Sequence, residues 1–252
     1  MLNAIFVKLT NLLGFIVSSS GFTFPINPGQ SVRFIFYHGV GKSNSPCFRY
    51  LNDNINQDLF VEQVGYLQKN YNILSVEEVV DIIEEGKYSL KKPACCISFD
   101  DGLQSVYTNA FPILNKKGIK AAVFVNTSGV GNNTLLWTHL LSYMIAENGN
   151  SKINSLLDEA GKSGKEKPTT DGFATIQWCK ENYKYIYESG IVRQIADNLN
   201  IDIQSIAGKE RLYLDWDQID IMHESGFMFY SHTKNHSPLN CLSRESQIEE
   251  IQ

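Results

Sequence analysis

An α/β fold built on parallel strands is what this sequence of 252 residues predicts, and three observations predict it. Ala94–Phe99 (ACCISF) is a near-continuous apolar run without polar alternation, the pattern of a strand buried on both faces. Strand-like and helix-like segments alternate through the first half of the chain, which asks for parallel strands joined by right-handed crossovers. Carboxylates and imidazoles stand directly after two of the strands, where such folds gather their functional groups.

The elements follow in order. After the breaker run Pro25–Gly29, Val32–Tyr37 predicts a buried strand that ends at His38-Gly39. A polar loop runs from Lys42 to Asn56, and Leu59, Phe60, Val64 and Leu67 then mark an amphipathic helix closing near Asn70. Tyr71–Ser75 is a short strand, and Ser75-Val-Glu-Glu has the form of a capping box for a helix over Val76–Glu85. Past Pro93 come the strand Ala94–Phe99, a helix over Leu103–Lys117 and a strand within Ile119–Val125.

From Asn126 to Arg211 the pattern changes. Trp137–Ala146, Phe173–Tyr187 and Gly190–Leu199 are helical in spacing, while Asn148–Thr170 is polar and rich in Gly, Ser and Lys. This stretch reads as a helical insertion, a lid or wall beside a site. Asp215 then caps a helix over Trp216–Glu224, and Gly226 leads into the strand Phe227–Ser231.

Composition removes several classes of function. With 22 basic against 27 acidic residues, a net charge of −5 and no Lys/Arg cluster, nucleic acid is not an expected partner. The five cysteines include an adjacent pair, Cys95-Cys96, and no CxxC. They form neither a spaced disulfide framework nor a thiolate zinc site; the adjacent pair reads as small buried apolar residues.

Residues 1–24 hold too short an apolar run to cross a membrane. Leu2, Ile5, Phe6, Leu9, Leu12, Leu13 and Ile16 instead follow helical spacing. An amphipathic helix docked on the protein or on a membrane surface is the favoured reading. A cleaved signal, loosely imitated by Lys8 and Ser18–Ser20, is the competing one. Residues 1–30 are thus expected as an N-terminal segment, and 31–252 as one domain with the 126–211 insertion inside it.

Two clusters carry chemistry. Ser98-Phe-Asp-Asp-Gly102 sets two carboxylates side by side after a buried strand. Desolvation and mutual repulsion there demand a cation or a raised pKa, and Gly102 permits a tight turn. A helix N-cap with an acidic first turn is the plainer account. His232-Thr-Lys-Asn-His236 places two imidazoles four residues apart, on one face if the loop turns helical; a solvated loop explains the pair equally well. Taken together, one carboxylate and two imidazoles make a three-ligand set with open positions, leaving the other carboxylate as a base. His38 ends the first strand and so faces the same mouth or is a hydrogen-bonded strand end. Trp137, Tyr213 and Trp216 read as core before sugar-stacking platforms. His139 and His223 belong to no pattern.

The strand-ending SFDDG, followed by a Gly-Phe strand and HTxxH-SPL, resembles the polysaccharide deacetylases, also called NodB-homology or carbohydrate esterase family 4 proteins. The resemblance covers roughly residues 32–126 and 212–252 and implies a distorted (β/α) barrel. Carried over by motif position, it implies Asp100 as general base and Asp101, His232 and His236 as ligands of a divalent metal, zinc by default. His38, placed only by its strand end, is the candidate substrate contact. The implied reaction is hydrolysis of an N-acetyl or O-acetyl group on a cell-envelope or surface polysaccharide. The metal would polarise the acetyl carbonyl and acidify the attacking water.

Departures are visible too. The family's later Arg-Pro-type motif and its general-acid histidine are missing, and only five core strands can be counted where a closed barrel has seven or eight. The barrel is therefore expected to be incomplete at its C-terminal side, with an open edge. A metal- or glycan-binding remnant without activity, or a subunit needing its missing half, stands as the alternative. The favoured compartment is the bacterial cytoplasm or membrane surface, ahead of a secreted or periplasmic one.

Overall fold

Five parallel strands organise the molecule. The computed structural model describes residues 32–85, 92–160, 171–183, 186 and 190–251; the expected N-terminal helix lies outside them. The strands are β1 (Val32–Tyr37), β4 (Asn72–Ile73), β5 (Ala94–Phe99), β6 (Ala122–Val125) and β7 (Met228–Ser231). Their order is β1-β5-β6-β7, with β4 also pairing β5. On one side of β5, β1 pairs along its whole length, while β4 and β6 share the other side. All six residues of β5 are buried, as the unbroken apolar run requires of a central parallel strand. A separate two-stranded sheet joins β2 (Gly39–Val40), ahead of the expected polar loop, to β3 (Asn54–Ile55) near that loop's end.

The crossovers carry the helices. α1 (Gln57–Asn70) starts where the Asn56 side chain accepts hydrogen bonds from the Asp58 and Leu59 amides. It buries Phe60, Val64 and Leu67 against the sheet. α2 (Val76–Glu85) begins at the expected capping box: the Ser75 amide donates to Glu78 Oε2 at 2.7 Å and the Glu78 amide donates to Ser75 Oγ at 3.2 Å. The helix expected over Leu103–Lys117 contains a π-helical stretch, Val106–Ala110, ahead of α3 (Phe111–Lys116). Pro112 has no amide to donate, so a regular α ladder would leave the Thr108 carbonyl without its usual partner. Widening to an i→i+5 pattern, in which the Phe111 amide reaches the Val106 carbonyl, accommodates it.

The stretch between β6 and β7 is helical: α4 (Trp137–Asn148), α5 (Asn150–Ala160), α6 (Gly172–Glu181), α7 (Ile191–Asn198), α8 (Ile203–Glu210) and α9 (Trp216–Glu224). Two of these depart from expectation. α5 lies in the polar stretch and buries only Ile153 and Leu157, with Asn154 between them. α8 is entered through Asp202, whose side chain accepts from the Ser205 amide. α9 has the expected cap, in which Asp215 and Gln218 exchange hydrogen bonds. The last helix is α10 (Arg244–Ile251). No helix among the described residues is long and apolar enough to cross a membrane.

The sheet has two unlike faces. Register places Ile35, Tyr37, Cys95, Ile97 and Phe99 on one side, where Tyr37 and Phe99 pack on Phe60 of α1. On the other side Phe34 is 55% and Phe36 65% exposed, and Phe124 stacks on Tyr230. The expectation that β1 is buried therefore needs correction. As an edge strand it is covered on the helix side only. Among the described residues the sheet does not close, and β1 and β7 remain its edges, in line with the incomplete barrel.

Candidate metal centre

β5 and β7 flank β6 and run parallel to it, so the residues following each strand meet at one end of the sheet. Asp101 and Gly102 both take left-handed backbone, with φ of 68° and 63°. A Cβ on Gly102 would lie 2.9 Å from Val125 Cγ1, so a side chain is excluded there by contact as well as by conformation. The turn is pinned on its far side, where the Leu214 amide donates to the Gly102 carbonyl and the Gln104 amide to the Leu212 carbonyl.

The turn drives Asp101 inward until it is 4% exposed. Its Oδ1 lies 3.4 Å from His236 Nε2 and 3.7 Å from His232 Nε2, and its Oδ2 lies 4.0 Å from His38 Nε2. One ligand atom from each of Asp101, His232 and His236 falls within 4.8 Å of the others. Asp101 Oδ1 is buried without a hydrogen-bond partner, so this oxygen caps no backbone amide.

The two histidines converge by a different route from the helical turn the spacing suggests. Residues 232–238 form no helix, and Thr233 and His236 each adopt left-handed φ, 67° and 61°. The imidazole centroids are 5.3 Å apart. Asn126 donates through Nδ2 to the carbonyls of His232 and Thr233, and the Ser128 amide donates to the Lys234 carbonyl at 3.0 Å. Trp137 Nε1 donates to the His236 carbonyl at 3.4 Å. Trp137 is thus a loop support, Tyr213 is core, and Trp216 is exposed.

Electrostatics follow from burial and crowding. Burial raises the pKa of Asp100 above the usual carboxylate range, and the charge of Asp101 adds to it, against the pull of His232, His38 and His236. Burial lowers the pKa of His236, with Asp101 opposing. A neutral imidazole is the ligand form of histidine. Two imidazoles and a buried carboxylate oxygen without a donor make a set that fits a divalent cation of the zinc type.

A family model described as polysaccharide deacetylase matches residues 87–252, the stretch that holds all four of these motif residues. The chain belongs to the polysaccharide deacetylase family. Poly-β-1,6-N-acetyl-D-glucosamine N-deacetylase of Staphylococcus epidermidis is 33% identical to this family member over 92 residues, 36% of the chain and 31% of that protein. The enzyme of that name from Staphylococcus aureus is 31% identical over 112 residues, 40% and 38% of the two lengths. The matches thus span about a third of these curated relatives. A Streptococcus pyogenes deacetylase solved in complex with acetate aligns with a TM-score of 0.49 at 20% identity, over 88% of this chain and 65% of that one.

Several buried residues near this Asp/His cluster carry no motif. His139, which belongs to no sequence pattern, is fully buried, and burial lowers its pKa to about 4. Its Nδ1 lies 2.8 Å from the hydroxyl of Tyr213. That hydroxyl already accepts from the Leu136 amide, and burial holds its pKa well above the usual 10. The hydroxyl and Nδ1 share one hydrogen bond whose direction follows the imidazole tautomer, and Nε2 is buried without a partner. Asn132 grips the Tyr213 backbone from both sides, its Nδ2 donating to the carbonyl and its Oδ1 accepting from the amide. Only burial and distance reveal these partners.

Proposed function

We propose that this chain carries the metal-dependent hydrolytic centre of an N-deacetylase acting on an acetylated amino-sugar polysaccharide at the bacterial cell surface. The observation that carries this reading is the convergence of Asp101, His232 and His236 on one point, beside the second carboxylate of Asp100. Family membership and the names of the curated relatives support it, and β-1,6-linked poly-N-acetylglucosamine is the first substrate to test.

Asp101, His232 and His236 would hold the ion, zinc being the first choice. A bound ion would supply Lewis-acid polarisation. Asp100 would take the proton from the attacking water; the pKa raised by burial makes it a better base than an exposed carboxylate. His38, at the mouth and half-buried, contacts the sugar that bears the acetamido group. The water oxygen would add to the acetyl carbon, and C–N cleavage with return of the proton from Asp100 to the nitrogen would give acetate and the free amine. Residues 1–24 supply a peripheral contact with the membrane.

A second reading, binding of metal and glycan without turnover, is favoured by one observation. The sheet is open among the described residues, and Phe34 and Phe36 are exposed on it.

Acetate release from poly-N-acetylglucosamine, with and without zinc, tests both. Asp100→Asn is expected to lower release by about a hundredfold or more with the metal retained. Release that survives this substitution, or that persists in chelator-treated protein, contradicts the proposal. Zinc and glycan binding with no acetate from the parent chain selects the second reading.

A further inference from the structure

We infer that Glu250, on α10, is a positioning residue for the two histidine ligands; the inference rests on the metal-site reading above. Glu250 is 2% exposed, an unusual setting for a carboxylate unless its oxygens are fully engaged. They are engaged by the loop between the histidines. Oε2 accepts from the Asn235 amide at 2.8 Å. Oε1 accepts from Asn235 Nδ2 at 2.9 Å and from Ser237 Oγ at 2.8 Å. The backbone carbonyl of Glu250 accepts from the Lys234 amide at 2.9 Å. One residue thus anchors positions 234, 235 and 237, which bracket His236 and follow His232 by two residues.

The loop needs such an anchor. Thr233 and His236 both hold left-handed backbone, a conformation that non-glycine residues keep only when their surroundings over-determine it. Asn126 and Ser128 hold the start of the loop from the β6 side. From Lys234 onward the polar hold comes from Glu250 together with Trp137 Nε1, which donates to the His236 carbonyl. Bonds to a carboxylate are stronger than neutral ones, and this buried carboxylate is held by three donors. Outer-shell groups of this kind set the orientation of metal ligands and with it the affinity for the ion.

Glutamine at this position keeps the shape but not the pattern of acceptors. If its oxygen takes the place of Oε1, its NH2 group faces the Asn235 amide, donor against donor.

The test is titration of Co2+ into the chelator-stripped full chain, read by its visible absorption and by competition with Zn2+. Folding is checked by circular dichroism. Glu250→Gln is expected to weaken metal binding about tenfold to a hundredfold and to alter the ligand-field spectrum. Glu250→Asp and Ser237→Ala are expected to do so to a smaller degree. Val64→Ala, a core truncation in α1 away from the loop, is expected to lower thermal stability and leave the metal affinity and spectrum of the parent. Parent-like affinity and spectrum in Glu250→Gln overturn the inference and leave the metal site standing. Should Glu250→Gln not fold, parent-like binding in both Glu250→Asp and Ser237→Ala overturns it. A parent chain that binds no metal overturns the inference together with the reading beneath it.

Discussion

The two halves of the centre are held by opposite means. Asp101 follows β5, a strand paired on both sides and buried along its whole length. Its direction is set by the next residue, Gly102, wedged against Val125. His232 and His236 follow β7, an edge strand that is only partly buried. Their loop takes its shape from side chains outside it, Asn126 on the β6 side and Glu250 on α10. One half is rigid through its own strand and turn; the other borrows rigidity. The carboxylate end should therefore fail through backbone and packing, and the imidazole end through lost hydrogen bonds.

The largest expected effect breaks the first half. Gly102→Ala adds a methyl group within 2.9 Å of Val125 Cγ1 at a left-handed residue, and unfolding free energy should fall by about 3 kcal/mol. Chemical denaturation measures this directly, and an unchanged midpoint would show that the turn can relax.

The next effect concerns the buried His139 behind the turn. Its folded-state pKa is depressed from 6.5 to about 4. The native state therefore binds fewer protons than the unfolded state between those values. The stabilisation is present above pH 6.5 and is lost as pH falls toward 4, a total of about 3 kcal/mol. In the metal-free chain, His139→Gln should flatten the acid limb of stability against pH; an unchanged slope would assign that limb to other groups.

A smaller effect is expected in the second half. Asn126→Ala removes the donor to the His232 and Thr233 carbonyls and should cost about 1–2 kcal/mol, with weaker metal binding. If metal affinity stays the same, the β6 side of the loop does not position the ligands.

Smallest of all is Thr233→Gly. It relieves left-handed strain at φ 67° while freeing the unfolded chain, so the net change should stay within about 1 kcal/mol. A large loss there would mean that the Thr233 side chain holds the loop.

The same contrast explains what could be read from the sequence. The doubly buried strand β5 is legible because burial on both faces writes an unbroken apolar run. The caps at Ser75 and Asp215 are legible because capping is local in sequence. Asp100, Asp101, His232 and His236 stand in two short motifs at strand ends. Other features are invisible locally. α5 buries too narrow a stripe to show against its polar composition, and β2 and β3 are two residues each. The exposure of Phe34 and Phe36 depends on what covers β1, which the apolar residues of VRFIFY cannot report. Asn126, His139 and Glu250 act through partners up to 107 residues away, where no spacing rule reaches.

The central claim is that one divalent ion is held jointly by the two halves. Equilibrium titration of Zn2+ into the metal-free chain, beside Asp101→Asn, His232→Ala and His236→Ala, tests it most directly. The account predicts one ion per parent chain and a loss in each variant larger than the hundredfold typical of outer-shell changes. Zinc held with parent affinity by Asp101→Asn, or by a chain lacking both imidazoles, would contradict it.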